Sequence, residues 1–77
     1  MSPGLEQKVF QAISRISHYP LENLQGNLKL KEDLGLDSLN FMELEYELQQ
    51  SGFPEFEVEE MAAIATVGEV IDFLRAK

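Results

Sequence analysis

Apolar residues recur at three- and four-residue steps in three separate windows of this sequence, and they alternate at period two almost nowhere. Three- and four-residue steps put side chains on one face of a helix, whereas a half-buried strand needs alternation. The pattern predicts an all-α fold. The first window runs from about Ser2 to Ile16, with Leu5, Val9, Phe10, Ile13 and Ile16 as its stripe. Ser2 suits an N-cap, Pro3 suits the first helical position, and Pro20 ends any continuation. The second window opens at Asp37-Ser38 and runs to about Ser51. Leu39, Met42 and Tyr46, with Leu44 and Leu48 around the turn, are expected to form its broad apolar face. Gly52 stands where a left-handed cap belongs, and Pro54 follows it. The last window begins at Thr66-Val67-Gly68-Glu69, the pattern of a reciprocal capping box, with Ala65 and Val70 at the staple positions. Val67, Val70, Ile71 and Leu74 carry its stripe, and Arg75 and Lys77 put positive charge at its C-terminal end.

A short third helix, about Val58 to Ala63, offers Val58, Met61, Ala62 and Ile64 after a loop containing Phe53 and Phe56. Between the first and second helices lies a connection from about Tyr19 to Asp37. A loop of that length is normally anchored or functional. Leu21, Leu24, Leu28, Leu30, Leu34 and Leu36 are expected to pin it, with one or two helical turns, and Gly26-Asn27 to turn it. The prediction is a four-helix bundle with three main helices, one short third helix and a long ordered first loop.

Size and charge narrow the function. Seventy-seven residues are expected to make one domain, 1–77. A chain this short buries only about 60% of the surface it exposes when unfolded. That leaves one thin core and argues against a deep catalytic pocket. Fourteen acids against six bases give a net charge of −8. This disfavours nucleic acid and anionic membranes, which need clustered Lys and Arg, and favours basic protein partners. The absence of cysteine removes disulfides, thiolate metal sites and a nucleophilic thiol, and fits a reducing cytoplasm. The longest purely apolar run, Met61 to Ala65, is far below the roughly 20 residues of a bilayer helix, so no membrane insertion is expected. No signal-peptide pattern opens the chain. The starting Met and compact ends fit a free-standing protein, expected to be a cytoplasmic monomer.

Asp37-Ser38 is the most informative pair. Both residues are good N-caps, but only one can occupy the cap. Taken alone, such a serine most often merely caps. If Asp37 caps instead, Ser38 falls at the first helical position with its hydroxyl facing solvent. Unpaired backbone N–H groups and the helix dipole then lie beside it, favourable surroundings for an esterified phosphate. Gly35 lets the chain turn sharply into the helix.

The wider pattern is more specific. Asp33-Leu34-Gly35-Leu36-Asp37-Ser38-Leu39, then Met42-Glu43-Leu44, then Ile64, Thr66-Val67 and Ile71-Asp72-Phe73-Leu74, resembles the acyl carrier proteins over essentially the whole chain. The resemblance implies a four-helix bundle with a long first loop. It maps the family's modified serine onto Ser38. A phosphopantetheinyl transferase, with magnesium, would use that hydroxyl to attack the diphosphate of coenzyme A and leave a 4'-phosphopantetheine arm. The arm's thiol would supply the sulfur that the chain lacks. The carrier would catalyse nothing itself, serving acyl-loading, condensing or modifying enzymes with basic docking patches. By the same resemblance, Asp37, Leu39, Met42, Glu43 and Glu47 are the docking candidates. Met42 reads equally well as a core residue, and the Glu43/Glu47 pair as a plain solvated face.

The sequence departs from the family at three places. Asn40 stands where housekeeping fatty-acid carriers often hold an acid. Gln49-Gln50 replace a frequent acidic pair, and Gly52 to Phe56 differs from the usual segment. These departures favour polyketide or hybrid peptide biosynthesis over bulk fatty-acid synthesis. A peptidyl or aminoacyl cargo is the alternative, although such carriers more often have a second glycine where Leu36 stands.

Other chemistries fit less well. A calcium loop built around Gly26, with Asn23, Gln25 and Glu32, would place Leu21 where the first oxygen ligand is needed, so no metal site is expected. His18 is the sole histidine and has no triad-like neighbours; it reads as a loop or helix-end residue, and Tyr19 and Tyr46 as packing residues. An unmodified acidic interaction helix is the remaining rival, and it requires Ser38 to be only a cap.

Overall fold

The computed structural model describes residues 4–53 and 56–76. The readings made above for Ser2, Pro3, Pro54, Lys77 and the side chain of Val58 lie outside what is described. The element order is α1 (Leu5–Ser17), a 3₁₀ turn (Leu21–Asn23), α2 (Ser38–Gln50), α3 (Val58–Ala62) and α4 (Val67–Arg75). The all-α expectation, with a short third helix, is met. Helix α1 packs against both α2 and α4, and α2 packs against α3.

The described start of α1 is Gly4, whose carbonyl accepts from the Lys8 N–H at 3.1 Å. Val9, Ala12 and Ile13 are its buried residues, while Leu5, Phe10 and Ile16 flank them half-buried. Two residues before Pro20, the helix already ends. His18 adopts a left-handed conformation (φ 62°) and donates its N–H to the Ser14 carbonyl at 2.9 Å. Such caps are usually glycine, because a Cβ is strained there. The chain's histidine therefore serves as a helix stop.

The long connection is ordered by backbone pairing as well as by leucines. Leu24, Leu30, Leu34 and Leu36 are buried and Leu28 is half-buried, but Leu21, counted above as an anchor, is exposed. Leu21 opens the 3₁₀ turn, which aims its side chain outward. Beyond Gly26-Asn27 the loop pairs with the α3–α4 connector. The Leu30 N–H donates to the Ala65 carbonyl (2.9 Å), the Val67 N–H to Leu28 (3.0 Å) and the Gly68 N–H to Gly26 (2.8 Å). Lys29 and Thr66 form an antiparallel bridge between them. A Cβ on Gly68 would stand 3.1 Å from the Gly26 oxygen, so glycine is what lets the two backbones meet there.

Helix α2 corrects one expectation. Its core residues are Phe41, Leu44 and Leu48; Leu39, Met42 and Tyr46 point to solvent at 64%, 56% and 63% exposure. A continuous face holding all five expected residues is impossible, because the two trios lie on opposite sides of the helix. The helix ends at Gly52 (φ +98°). The Phe53 N–H reaches the Leu48 carbonyl and the Gly52 N–H reaches Gln49, the paired bonds of a glycine-terminated helix.

Met61 of α3 is fully buried, and Phe56 meets Phe73 edge-on at 5.6 Å. At the start of α4, Thr66 accepts from the Glu69 N–H (3.2 Å) and donates its hydroxyl to the Glu69 carboxylate (3.1 Å). Only half of the expected reciprocal box forms, since Glu69 takes the hydroxyl rather than the Thr66 N–H. Among the described residues the core holds no polar or charged side chain. The described acids are exposed, apart from Glu45 and Glu47, which are half-buried.

Candidate functional site

The segment entering α2 folds back on itself. The Asp33 carboxylate accepts from the Lys29 N–H (2.8 Å), and the Lys29 carbonyl accepts from the N–H groups of Asp33 and Leu34. The Leu36 N–H returns to the Leu30 carbonyl at 3.0 Å. Gly35, at φ +69°, makes the bend between two buried leucines, Leu34 and Leu36. The chain therefore arrives at Asp37 extended and fixed on its core side, with the next residues projecting outward.

Asp37 takes the cap. Its carboxylate accepts from the Asn40 N–H at 3.0 Å, and its own N–H donates to the Asn40 side-chain oxygen at 3.1 Å. Asn40, read from sequence as a missing acid, is the second half of a reciprocal cap. Its Nδ2 then donates to the Glu43 carboxylate at 3.0 Å. The two-way competition left open by the sequence is resolved, and Ser38 becomes the first residue of α2.

Ser38 is exposed, and its hydroxyl makes no hydrogen bond to any described residue. The other described hydroxyls of serine and threonine are occupied. Ser14 donates to the Tyr19 carbonyl (2.6 Å), Ser17 to Ile13 (2.7 Å) and Ser51 to Glu47 (3.1 Å), while Thr66 is held by Glu69. Ser38 thus combines an unengaged Oγ with a helix start whose N–H groups favour a nearby anion. These features fit an esterified phosphate.

Around it, the docking candidates separate into two sets. Leu39 and Met42 stand exposed on the outer face of α2 with Glu43, and Asp37 is exposed at its start. Tyr46, read above as a packing residue, joins them one and two turns on and extends the same stripe. The signal was available, because Leu39, Met42 and Tyr46 follow i, i+3, i+7 spacing on the face that also bears Glu43 and Gln50. Glu47 lies elsewhere. Its carboxylate is 2.8 Å from the Arg15 guanidinium of α1 and only 26% exposed, on the flank between the two helices. Exposed pairs of this kind contribute about 0–1 kcal/mol. No group of three metal-ligating side chains occurs among the described residues, and no described helix is long and apolar enough to cross a membrane.

The family model described as a phosphopantetheine attachment site matches residues 7–74. An acyl carrier protein of Rickettsia bellii (strain OSU 85-389) is 30% identical over 72 residues, covering 94% of this chain and 89% of that protein. Another, from strain RML369-C, is 28% identical over 72 residues, covering 94% of this chain and 84% of that protein. The chain belongs to the acyl carrier proteins, the phosphopantetheine-dependent carriers. Its cofactor is covalently attached 4'-phosphopantetheine, and members of this family are carriers rather than enzymes. They work with a phosphopantetheinyl transferase and with acyl-handling enzymes.

Proposed function

We propose that Ser38 is the attachment point of the arm, on a single carrier domain spanning residues 1–77. The observation that carries this reading is the unengaged, exposed Ser38 hydroxyl at the first position of a helix capped by its neighbour Asp37. A phosphodiester at that oxygen would meet the positive end of α2, and the Asp37–Asn40 cap would keep the hydroxyl from being spent on the backbone. Bound there, the arm supplies a thiol that holds acyl groups as thioesters. The protein contributes a fixed tether that raises the effective concentration of the cargo at partner sites.

For docking, Leu39, Met42 and Glu43 form the contact face, Tyr46 extends it, and Asp37 adds charge at its edge. Glu47 acts chiefly as the α1–α2 ion pair. Partners of this face are acyl-loading, condensing or modifying enzymes that present an apolar groove with a sparse basic rim. Asn40, engaged in capping, leaves α2 less acidic than a uniformly charged docking helix. That favours a specialised polyketide or hybrid pathway over bulk fatty-acid synthesis, in the cytoplasm and as a monomer. The test is to incubate the protein with coenzyme A and a broad-specificity transferase and to record the intact mass. A gain of one phosphopantetheine that Ser38→Ala abolishes supports the assignment. An unmodified wild-type chain, or a Ser38→Ala variant that still gains the group, refutes it.

A further inference from the structure

Within α2 the acids Glu43, Glu45 and Glu47 are held in different ways. Glu47 is paired with the Arg15 guanidinium at 2.8 Å, so its charge is answered inside the molecule. Glu45 is half-buried and accepts from the Gln49 side-chain amide at a long 3.4 Å. Glu43 is exposed. Its Oε1 accepts from Asn40 Nδ2 at 3.0 Å, and its Oε2 has no partner among the described residues. A neutral donor fixes a carboxylate without supplying a counter-charge. Glu43 is therefore the exposed acid of α2 that is firmly held and still open to an outside cation.

Asn40 can hold Glu43 because its own amide is pinned at the other end. Asn40 Oδ1 accepts from the Asp37 N–H at 3.1 Å, and the Asn40 N–H donates to the Asp37 carboxylate at 3.0 Å. With Oδ1 committed to the cap, Nδ2 is left for residue 43, three positions on and on the same face of the helix. The bond draws the Glu43 carboxylate back toward the start of α2, the end that bears Ser38. This position needs an acceptor on one side and a donor on the other, on a short stem. Asparagine supplies both, an ionised aspartate only accepts, and alanine does neither.

We infer that Asn40 is a positioning residue for phosphopantetheine transfer, acting through Glu43. Its amide holds the Glu43 carboxylate at the Ser38 end of α2, where a cation of the transferase meets it. The inference rests on Ser38 being the attachment point and on Glu43 being part of the contact face. A free glutamate side chain loses rotamer freedom when it docks, which weakens binding by about 2- to 10-fold for each side chain ordered. Asn40 removes that loss by ordering the carboxylate beforehand. Asn40 itself touches neither the reacting atoms nor the Ser38 hydroxyl, so its effect falls on binding and not on the chemical step.

The test is a double-mutant cycle on transfer kinetics. Wild type, Asn40→Ala, Glu43→Ala and the double variant are incubated with coenzyme A and a broad-specificity transferase. Initial rates are taken by intact mass over a range of carrier concentrations. Asn40→Ala keeps the backbone N–H that the Asp37 carboxylate accepts, so Ser38 stays at the first helical position in all four proteins. Asn40→Ala is expected to raise KM by about 2- to 10-fold with kcat little changed. Glu43→Ala should raise KM at least as far, and the double variant should be no worse than Glu43→Ala alone. KM losses that multiply in the double variant, a wild-type KM for either single variant, or a fall in kcat at unchanged KM overturns the inference while leaving Ser38 intact. A wild-type chain that takes no phosphopantetheine, or takes it elsewhere than at Ser38, overturns the attachment reading and this inference together.

Discussion

Replacing Asp37 with alanine should damage modification through the cap. In the native chain the Asp37 carboxylate accepts the Asn40 N–H at 3.0 Å, and the Phe41 N–H donates to the Asp37 carbonyl at 3.0 Å. Alanine removes the first bond and the negative charge at the start of α2. Loss of an N-cap costs about 1 kcal/mol, with a range of about 0.5–2. Serine ranks with aspartate as a cap, so Ser38 can take over by giving up one residue of helix. Its hydroxyl would then accept from the Phe41 N–H, three residues on. The net loss should stay near 1 kcal/mol, a fall in melting temperature of about 4–8 °C for a domain of this size. The cost to function is separate, because the Oγ needed for the phosphodiester is now hydrogen-bonded. Thermal unfolding and initial rates of phosphopantetheine transfer, followed by intact mass, measure both effects. Asp37→Asn keeps a cap of equal rank and loses only the charge, so it should keep most of the stability and most of the rate. Asp37→Ala modified at the wild-type rate would refute the cap competition. So would Asp37→Asn falling as far as Asp37→Ala, since that pattern means the transferase reads the charge itself.

Other expectations follow from the two faces of α2. Leu39→Ser and Met42→Ser should change stability by less than about 0.5 kcal/mol, as exposed sites do, whereas Phe41→Ala should cost about 3–5 kcal/mol in denaturant unfolding. Charge reversal at Glu43 should slow transferase modification more than reversal at Glu47, because Glu47 faces Arg15; equal effects in kinetic assays would place both acids on the docking face. Gly35→Ala, with open space around the new methyl but φ +69°, should destabilise by about 1 kcal/mol through backbone strain alone, read from the melting temperature. His18→Gly should move stability the other way, by up to about 1 kcal/mol, since it relieves the left-handed strain at the α1 stop.

Much of this architecture is written in local patterns. The helical windows, the buried leucines of the loop, the glycine stop at Gly52 and the Thr66 cap are all short-range signals, and each appears where periodicity and cap chemistry place it. Helix α2 was ambiguous for a physical reason. Leu39, Met42 and Tyr46 satisfy helical spacing as well as Phe41, Leu44 and Leu48 do, and periodicity cannot say which stripe meets the core. Glu43 and Gln50 on the first stripe's face were the available clue. Asn40 was misread because a side chain can matter for a local bond as much as for charge, and an Asp-to-Asn box lacks the usual Ser/Thr and Glu letters. The strap from Gly26–Leu30 to Ala65–Gly68 joins segments nearly 40 residues apart, so no local pattern announces it. The candidate serine was visible in Asp37-Ser38, but which of the two caps was decided only by three-dimensional geometry.

The most direct measurement is the site of the modification itself. Wild-type protein, modified by a broad-specificity transferase, can be digested and its peptides fragmented to locate the phosphopantetheine. The arm is expected on Ser38 alone, with Ser14, Ser17 and Ser51, whose hydroxyls are committed to backbone carbonyls, carrying none. A phosphopantetheine found on any other residue would contradict the placement of the carrier site at the start of α2.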